Sequence, residues 1–120
     1  MALKIGIAGM GGIGNNHANC YKNDGLAELV AVCDIIKEKA DASAQRLNVP
    51  AFYSLKDMLA AHPEIDIIDV TTSGSENGGW HYEPSMEAMD AGKNVLVEKP
   101  MSNDINEARE MVAFARKKNV

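Results

Sequence analysis

Leu3-Lys4-Ile5-Gly6-Ile7-Ala8, followed at once by Gly9-Met10-Gly11-Gly12-Ile13-Gly14, is the stretch that decides the fold of this chain. The first half is a short apolar run of the kind that forms a buried parallel strand. The second half is a GxGxxG pattern, for which a glycine-rich turn serving only chain geometry is the alternative interpretation. Its position between a strand and a helix favours a ligand-binding role, because that context gives each glycine a task.

The rest of the chain continues the alternation of strands and helices. The patterns predict strands over 3–8, 29–33, 51–53, 65–70 and 94–97, and helices beginning near Gly12, over 37–47, after Ser54, over 83–90 and after Asp104. Strands separated by single helices run parallel, and right-handed crossovers give a doubly wound α/β sheet with strand order 3-2-1-4-5. We therefore predict one Rossmann domain over residues 1–120.

Residue types mark several helix ends. Ser54 with Asp57, and Asp104 with Glu107, have the spacing of capping pairs. Asn48 is expected to end the second helix. One apolar face is predicted for the last helix, made of Ile105, Ala108, Met111, Val112 and Ala115.

The composition limits the class of protein. With 46% hydrophobic and 24% charged residues among 120, the chain can bury one core. The formal net charge of -5 argues against a nucleic-acid partner, because such surfaces gather Lys and Arg. No apolar run approaches the roughly 20 residues that span a bilayer, and the start lacks a signal-peptide pattern, so we expect a cytoplasmic protein without a membrane partner. Cys20 and Cys33 lack metal-ligand spacing, so we expect two small buried thiols and no metal site.

The glycine pattern and one acidic residue together predict a dinucleotide site. Gly9 permits a tight turn, Gly11 lets a pyrophosphate approach the backbone, and Gly14 lets the helix pack closely on the strand. The pyrophosphate then rests on free N–H groups at the positive helix end, so no basic side chain is needed. Asp34 closes the second strand twenty residues after Gly14, where a carboxylate binds the ribose hydroxyls of the adenosine half. A cap for the following helix is the alternative role of Asp34.

The surroundings of Asp34 favour NAD over NADP. The carboxylate would repel a 2′-phosphate, and Ile35 and Ile36 offer that phosphate no donor. Lys37 and Lys39 could reach a 2′-phosphate, whereas solvated lysines in the first turns of a helix are the alternative. NAD is therefore the predicted cofactor, and NADP is the second choice.

Glu98-Lys99-Pro100 follows the fifth strand directly, at the carboxyl end of the sheet where open α/β folds bind ligands. Lys99 in that position could hydrogen-bond a substrate hydroxyl or carbonyl, with Glu98 helping to orient it. A charged turn ended by proline is the alternative for these three residues.

Four stretches together carry a family resemblance. They are 9–14 with His17-Ala18, 31–34, 65–72, and Ala91-Gly92-Lys93-Asn94-Val95-Leu96-Val97-Glu98-Lys99-Pro100. The chain resembles, over essentially its whole length, the Gfo/Idh/MocA oxidoreductases, which include glucose-fructose oxidoreductase and myo-inositol dehydrogenase. The resemblance implies that Lys99 is the active-site lysine, Asp34 the ribose-binding acid, and Thr72 a threonine lining the cofactor groove. The residues expected around the cofactor are Gly9, Met10, Gly11, Gly12, Ile13, Gly14, Asp34, Ile35, Thr71, Thr72, His81 and Glu98, and the expected catalytic residues are Lys99 and Glu98.

The chain departs from the family pattern after Thr72. The family has Thr-Pro-Asn or Thr-Pro-Ser with a histidine two residues later, whereas here the proline is missing and a longer loop over 73–79 precedes Trp80-His81. His81 matches the family histidine, and a histidine at a helix start is its alternative role. Trp80 could cover the cofactor, but a buried loop anchor is the expected role of a tryptophan. His17 is expected to pack beside the glycine loop.

The resemblance implies an enzyme that transfers a hydride between NAD and a sugar, cyclitol or similar polyol. Family members continue into a sixth strand and a C-terminal α/β substrate domain that supplies a catalytic Asp and His, and these are absent from the 120 residues. We therefore expect the isolated chain to be inactive, and to self-associate as a homo-oligomer through an exposed sheet edge. A stand-alone nucleotide-binding regulatory or redox-sensing module is the alternative.

Overall fold

A computed structural model describes residues 1–73 and 80–120, and in it strands and helices alternate along the chain. The elements are β1 (Leu3–Ala8), α1 (Gly12–Lys22), β2 (Ala27–Cys33), α2 (Lys37–Leu47), β3 (Ala51–Phe52), α3 (Leu55–Ala61), β4 (Ile67–Val70), α4 (Tyr82–Asp90), β5 (Asn94–Val97) and α5 (Ile105–Lys118). The strands form one sheet in the order β3-β2-β1-β4-β5, and every neighbouring pair is parallel. The predicted fold class and strand order are confirmed.

The strand ends differ from the predicted ones by one or two residues. β2 begins two residues earlier, at Ala27, because that residue pairs with Leu3. β4 begins two residues later, at Ile67; just before it the Asp66 N–H donates to the Lys4 carbonyl, while the Lys4 N–H donates to the Asp66 carboxylate. β3 ends at Phe52, one residue before the predicted end, and α4 begins one residue early, at Tyr82.

Helix caps form at the predicted residues, but in both capping pairs the recorded bonds run only from the N–H groups of the helix to the cap side chain. The Ser54 hydroxyl accepts a hydrogen bond from the Asp57 N–H at 3.1 Å, and Asn48 ends α2 with a left-handed backbone. At α5, Asp104 accepts from backbone N–H groups of the first turn, as a cap should. The carboxylate of Glu107 instead accepts from the Ser102 hydroxyl at 2.7 Å, so the capping pair forms in one direction only.

Two clusters of buried side chains form the core, and the central strands supply most of their members. One cluster gathers Ala8, Ala31, Cys33, Leu55, Met58, Ile65, Ile68, Val70 and Ala88. The other gathers Ile5, Ile7, Met10, Ala18, Leu29, Val32, Ala44 and Leu47. β1 is thus packed on both sides, as expected for the centre of a doubly wound sheet.

The predicted apolar face of α5 is only partly covered by other elements. Met111 is buried, but Ile105 is 65% exposed and Val112 is 41% exposed. Within the described part of the chain α5 packs mainly against α4, so only the part of its apolar face that contacts α4 is buried.

The two cysteines differ, and the prediction that both are buried is wrong for Cys20. The buried residues of α1 are Gly14 and Ala18, four positions apart on one face, and Cys20 lies about 200° around the helix from Ala18. Cys33 is buried, and burial, with the nearby carboxylates of Asp34 and Glu87, raises the pKa of its thiol from 9.0 to about 12.

In the part of the chain that the structure covers, no helix has the length and apolarity needed to cross a membrane.

Candidate functional site

A groove of about 1280 Å³ opens at the carboxyl ends of the central strands. This exceeds the roughly 300–1,000 Å³ of a drug-sized site and suits a longer ligand. Of the predicted site residues, those lining it are Gly9, Gly11, Gly12, Ile13, Asp34, Ile35, Thr71, Thr72, His81, Glu98 and Lys99. The remaining two, Met10 and Gly14, are buried beside it. The structure therefore brings residues from four strand ends to one surface.

The glycines of the loop fall into two classes. Gly9 has φ +104°, and a Cβ there would lie 2.6 Å from the Thr72 nitrogen. A Cβ on Gly14 would lie 2.0 Å from the Gly9 carbonyl oxygen. Gly11 and Gly12, by contrast, have no heavy atom within 4 Å of where a Cβ would stand. The first class is needed for packing, and the second leaves the surface of the loop open.

The start of α1 suits an anion. Its cap residue, Gly11, provides no side-chain hydrogen bond, and the first turn contains no acidic residue. The first N–H groups of a helix lack intrahelical acceptors and carry the positive end of the dipole. With no Cβ on Gly11 or Gly12, a phosphate group can reach those N–H groups directly.

Asp34 ties the glycine loop to the end of β2. One carboxylate oxygen accepts from the Met10 N–H and the other from the Ile36 N–H, both at 2.8 Å. The cap residue of α2 is Ile36, so Asp34 holds the turn before the helix and is not its cap. Each carboxylate oxygen has a further acceptor site, so the group can also take hydrogen bonds from ligand hydroxyls.

The residues after Asp34 offer few donors to a ligand. Ile35 is 79% exposed at the groove. The Lys37 ammonium lies 5.0 Å from the centroid of the Tyr53 ring, a cation–π contact that holds it there. Lys39 lines the groove. Of the two lysines considered for a 2′-phosphate, only Lys39 therefore lies on the groove surface.

Thr71 and Thr72 follow β4 and face different partners. The buried Thr71 hydroxyl donates to the Gly9 carbonyl at 2.7 Å and so fixes the glycine loop against β4. The Thr72 hydroxyl donates to the Trp80 carbonyl at 3.0 Å. Trp80 is exposed, so the expectation of a buried loop anchor is wrong. Most of the predicted loop, residues 74–79, lies outside the described residues.

His81 links two loops of the groove. The residue is only 3% exposed, and its ring nitrogens lie 2.7 Å from the carbonyl oxygens of Thr72 and Pro100. Both partners are acceptors, so a neutral ring donates to one of them and a protonated ring to both. The residue also stands at the cap position of α4. Its predicted cofactor contact remains a prediction.

A buried polar network under the groove escaped the sequence analysis. The side chain of Asp69, in β4, is fully buried, and one of its oxygens accepts from His17 Nδ1 at 2.7 Å and from the Tyr21 hydroxyl at 2.6 Å. Burial, and then the bond to Asp69, raises the pKa of Tyr21. His17 Nε2 lies 3.9 Å from a carboxylate oxygen of Glu98. The sequence predicted a packing role for His17 and did not predict these polar partners.

One sequence signal pointed to this network. Asp69 interrupts an apolar strand with a charge, and a buried charge needs partners. His17 and Tyr21 are four residues apart on one helix, the spacing that puts two side chains on the same face.

Comparison with known proteins gives consistent matches. The chain is 34% identical to the trans-1,2-dihydrobenzene-1,2-diol dehydrogenase of Mus musculus over 100% of its own length and 35% of that enzyme. It is 30% identical to the UDP-N-acetylglucosamine 3-dehydrogenase of Acidithiobacillus ferrooxidans over 98% of the chain and 35% of that enzyme. The crystal structure of the WlbA dehydrogenase from Bordetella pertussis in complex with NADH and UDP-GlcNAcA superposes with a TM-score of 0.91 at 30% identity, covering 100% of this chain and 36% of the other.

The chain thus spans about a third of the length of the relatives it matches. The model of the Gfo/Idh/MocA family, described as an oxidoreductase family with an NAD-binding Rossmann fold, matches residues 3–120. On the fold, the glycine loop and this match together, the chain belongs to the Gfo/Idh/MocA family of oxidoreductases.

Proposed function

We propose that this chain binds NAD and is the cofactor-binding domain of an oxidoreductase acting on hydroxyl groups of a sugar, cyclitol or similar polyol. The observation that carries the proposal is the link between Asp34 and the Met10 N–H beside the open Gly11 and Gly12. It fixes a carboxylate at one side of an anion-binding helix start, which matches the ribose and pyrophosphate of a dinucleotide.

The charge around Asp34 supports NAD over NADP. A 2′-phosphate on the ribose would meet the Asp34 carboxylate and the exposed apolar side chain of Ile35. Lys39 lines the same groove, so it is the cation that could bind a 2′-phosphate and favour NADP instead.

Glu98 and Lys99 are proposed as the reactive pair. When bound, NAD supplies the acceptor for the hydride that leaves an alcohol carbon. Lys99 lines the groove, and its ammonium can donate to the oxygen of the substrate and stabilise charge that develops there. Glu98 also lines the groove and orients the lysine, while Thr72 and His81 shape the wall near the same turn.

The relatives support the class of substrate. They include dehydrogenases of a dihydrobenzene diol, a UDP-sugar, a glucoside and inositols. Because the chain spans about a third of such relatives, we propose that substrate contacts come from a further domain and that these 120 residues alone turn over little or no polyol.

Two further proposals concern assembly and location. We propose a homo-oligomer, supported by the edge position of β5 and the half-exposed Leu96 on it. We propose a cytoplasmic location, supported by the free thiols of Cys20 and Cys33, which a reducing compartment maintains.

Calorimetric titration of the chain with NAD, and separately with NADP, tests the proposed function. We expect NAD to bind more tightly, and Asp34→Ala to weaken NAD binding about tenfold, roughly 1.4 kcal/mol, for the loss of the ribose bonds. Asp41→Ala is the matched control, because it removes an equal charge from an exposed position on α2. Asp34→Asn keeps one acceptor oxygen and should improve NADP binding relative to NAD. Failure of both nucleotides to bind, or equal losses in the Asp34→Ala and Asp41→Ala variants, would contradict the proposal.

A further inference from the structure

His17 lies between two carboxylates that belong to different parts of the molecule. Asp69, from β4, contacts Nδ1 at 2.7 Å from inside the core, and Glu98, from the turn after β5, lies 3.9 Å from Nε2 at the groove. Tyr21, from the same helix as His17, meets the ring edge-on with 6.5 Å between the two ring centroids. Among the residues that the structure describes, these three carry the ionisable groups recorded against the ring.

The two ring nitrogens of His17 have different hydrogen-bonding roles. An ionised carboxylate only accepts, so Nδ1 must donate its hydrogen to Asp69. This fixes the orientation of the ring, as a carboxylate does for a histidine in metal and catalytic sites. Nε2 is left to face Glu98 at 3.9 Å, which is longer than a direct hydrogen bond, and the two groups attract each other as charges when the ring also carries a proton on Nε2.

Tyr21 also hydrogen-bonds Asp69, and it serves as the comparison for a partner with a structural role only. Its hydroxyl donates to the same carboxylate oxygen as His17, at 2.6 Å. Among the described contacts it has none with Glu98. Of the two donors to this oxygen of Asp69, only His17 therefore also lies near Glu98, a residue of the groove.

We propose that His17 is a positioning residue that holds the Glu98 carboxylate at the groove beside Lys99. Asp69 fixes the ring, and the ring restrains Glu98. Since α1 begins at the glycine loop and carries His17, the same helix binds the dinucleotide and sets the position of the turn that carries Lys99. The inference rests on the proposed function, because it gives Glu98 and Lys99 a part in the reaction.

Two variants separate positioning from structural support. In His17→Asn the side-chain amide stands near the place of Nδ1, so it can still donate to Asp69 but does not reach Glu98. In Tyr21→Phe the other donor to Asp69 is removed and the contact between His17 and Glu98 is kept. A merely structural network predicts similar behaviour of both variants, and positioning predicts that only His17→Asn changes Glu98.

The measurement is a ¹³C NMR titration of the Glu98 carboxyl carbon in the chain, assigned by its absence in Glu98→Gln. In the native chain and in Tyr21→Phe, we expect the chemical shift of the Glu98 carboxyl carbon to change over the same pH range in which the His17 ring is protonated. In His17→Asn we expect that change of chemical shift to be absent. An unchanged Glu98 response in His17→Asn, or its loss in both variants, would overturn the proposal. If His17→Asn does not fold, the titration of the native chain decides, because the ring resonances of His17 and the carboxyl resonance of Glu98 either change over the same pH range or do not.

NAD titration of the same variants separates this inference from the proposed function. We expect both variants to bind NAD within about threefold of the native chain, since the glycine loop and Asp34 are unchanged. Coupling between His17 and Glu98 without NAD binding would defeat the proposed function alone, and NAD binding without the coupling would defeat the positioning role alone.

Discussion

The two ends of the groove are held by different kinds of contact. At the end formed by β1 and β2, two side chains hold backbone atoms of the glycine loop: the Gly9 carbonyl accepts from the Thr71 hydroxyl, and the Met10 N–H donates to the Asp34 carboxylate. At the end formed by β4 and β5, histidine side chains bridge separate elements: His17 meets the Asp69 carboxylate, and His81 meets the Pro100 carbonyl. The first end presents the backbone of a glycine loop that has no Cβ at Gly11 or Gly12, whereas the second end presents side chains.

This difference matches the tasks proposed for the two ends. A pyrophosphate is the same in every dinucleotide, so a backbone cradle needs only small residues at fixed positions. A substrate differs from one enzyme to the next, so the opposite end is built from side chains that can be exchanged while the fold is kept. Damage to the first end should therefore affect the fold, and damage to the second end should affect mainly chemistry.

Gly14→Ala should have the largest effect. Its Cβ would lie 2.0 Å from the Gly9 carbonyl oxygen, a backbone atom held by Thr71, so the loop itself must move. We expect the free energy of unfolding to fall by about 3 kcal/mol, the upper part of the range for overpacking, in a urea denaturation curve. Gly12→Ala is the control, because its Cβ meets no atom within 4 Å. Equal losses in the two variants would show that the two classes of glycine do not differ.

The end whose structure is local could be predicted from the sequence. The order of strands, the packing roles of Gly9 and Gly14 and the capping by Ser54 follow from short patterns and known connection rules, and these were confirmed. A spacing of twenty residues was enough to bring Asp34 to the glycine loop, because one strand–helix–strand unit has a fixed geometry.

The rest depended on contacts between distant residues. His17 and Asp69 are 52 positions apart, and His81 and Pro100 are 19 apart, so no local pattern records either pair. The exposure of Cys20, Ile105 and Val112 depended on which neighbours cover a helix face. A periodic pattern shows that a helix has an apolar face but not how much of that face is covered.

Tyr21→Phe should have an intermediate effect. The hydroxyl donates to a buried carboxylate, so we expect a loss of about 1.5 kcal/mol, the lower value for a bond to a charged group because Tyr21 is only partly buried. Tyr53→Phe is the matched control, since its hydroxyl also donates to an aspartate, Asp41, but on the exposed surface. Its unfolding curve should stay essentially unchanged, and a similar loss in both variants would mean that burial of Asp69 does not matter.

The same tyrosine should make stability depend on alkaline pH. Burial, and then the bond to Asp69, raises the pKa of Tyr21 above its ordinary 10.0, so the folded chain keeps a proton that the unfolded chain loses. The free energy of unfolding should therefore fall as the pH rises above 9, where the thiol of Cys33 ionises in the unfolded chain, and more steeply above 10, where Tyr21 adds its part. Tyr21→Phe should make that fall less steep without removing it, because the pKa of Cys33 is also raised, to about 12. Urea curves between pH 8 and 11 would measure it, and an unchanged slope in the variant would contradict the assignment.

Leu96→Lys should have the smallest effect on stability and should act on assembly instead. Leu96 is 50% exposed on β5, the edge strand at the Lys99 end of the sheet, so the free energy of unfolding should change by less than about 0.5 kcal/mol. A lysine on an exposed edge opposes strand pairing between chains, so sedimentation velocity should shift from the associated species toward the monomer. Leu26→Lys is the control, because Leu26 is 71% exposed just before β2, away from that edge. Association that survives Leu96→Lys and is lost in Leu26→Lys would assign the contact to the β1–β2 side, and the edge at β5 would then play no part in assembly.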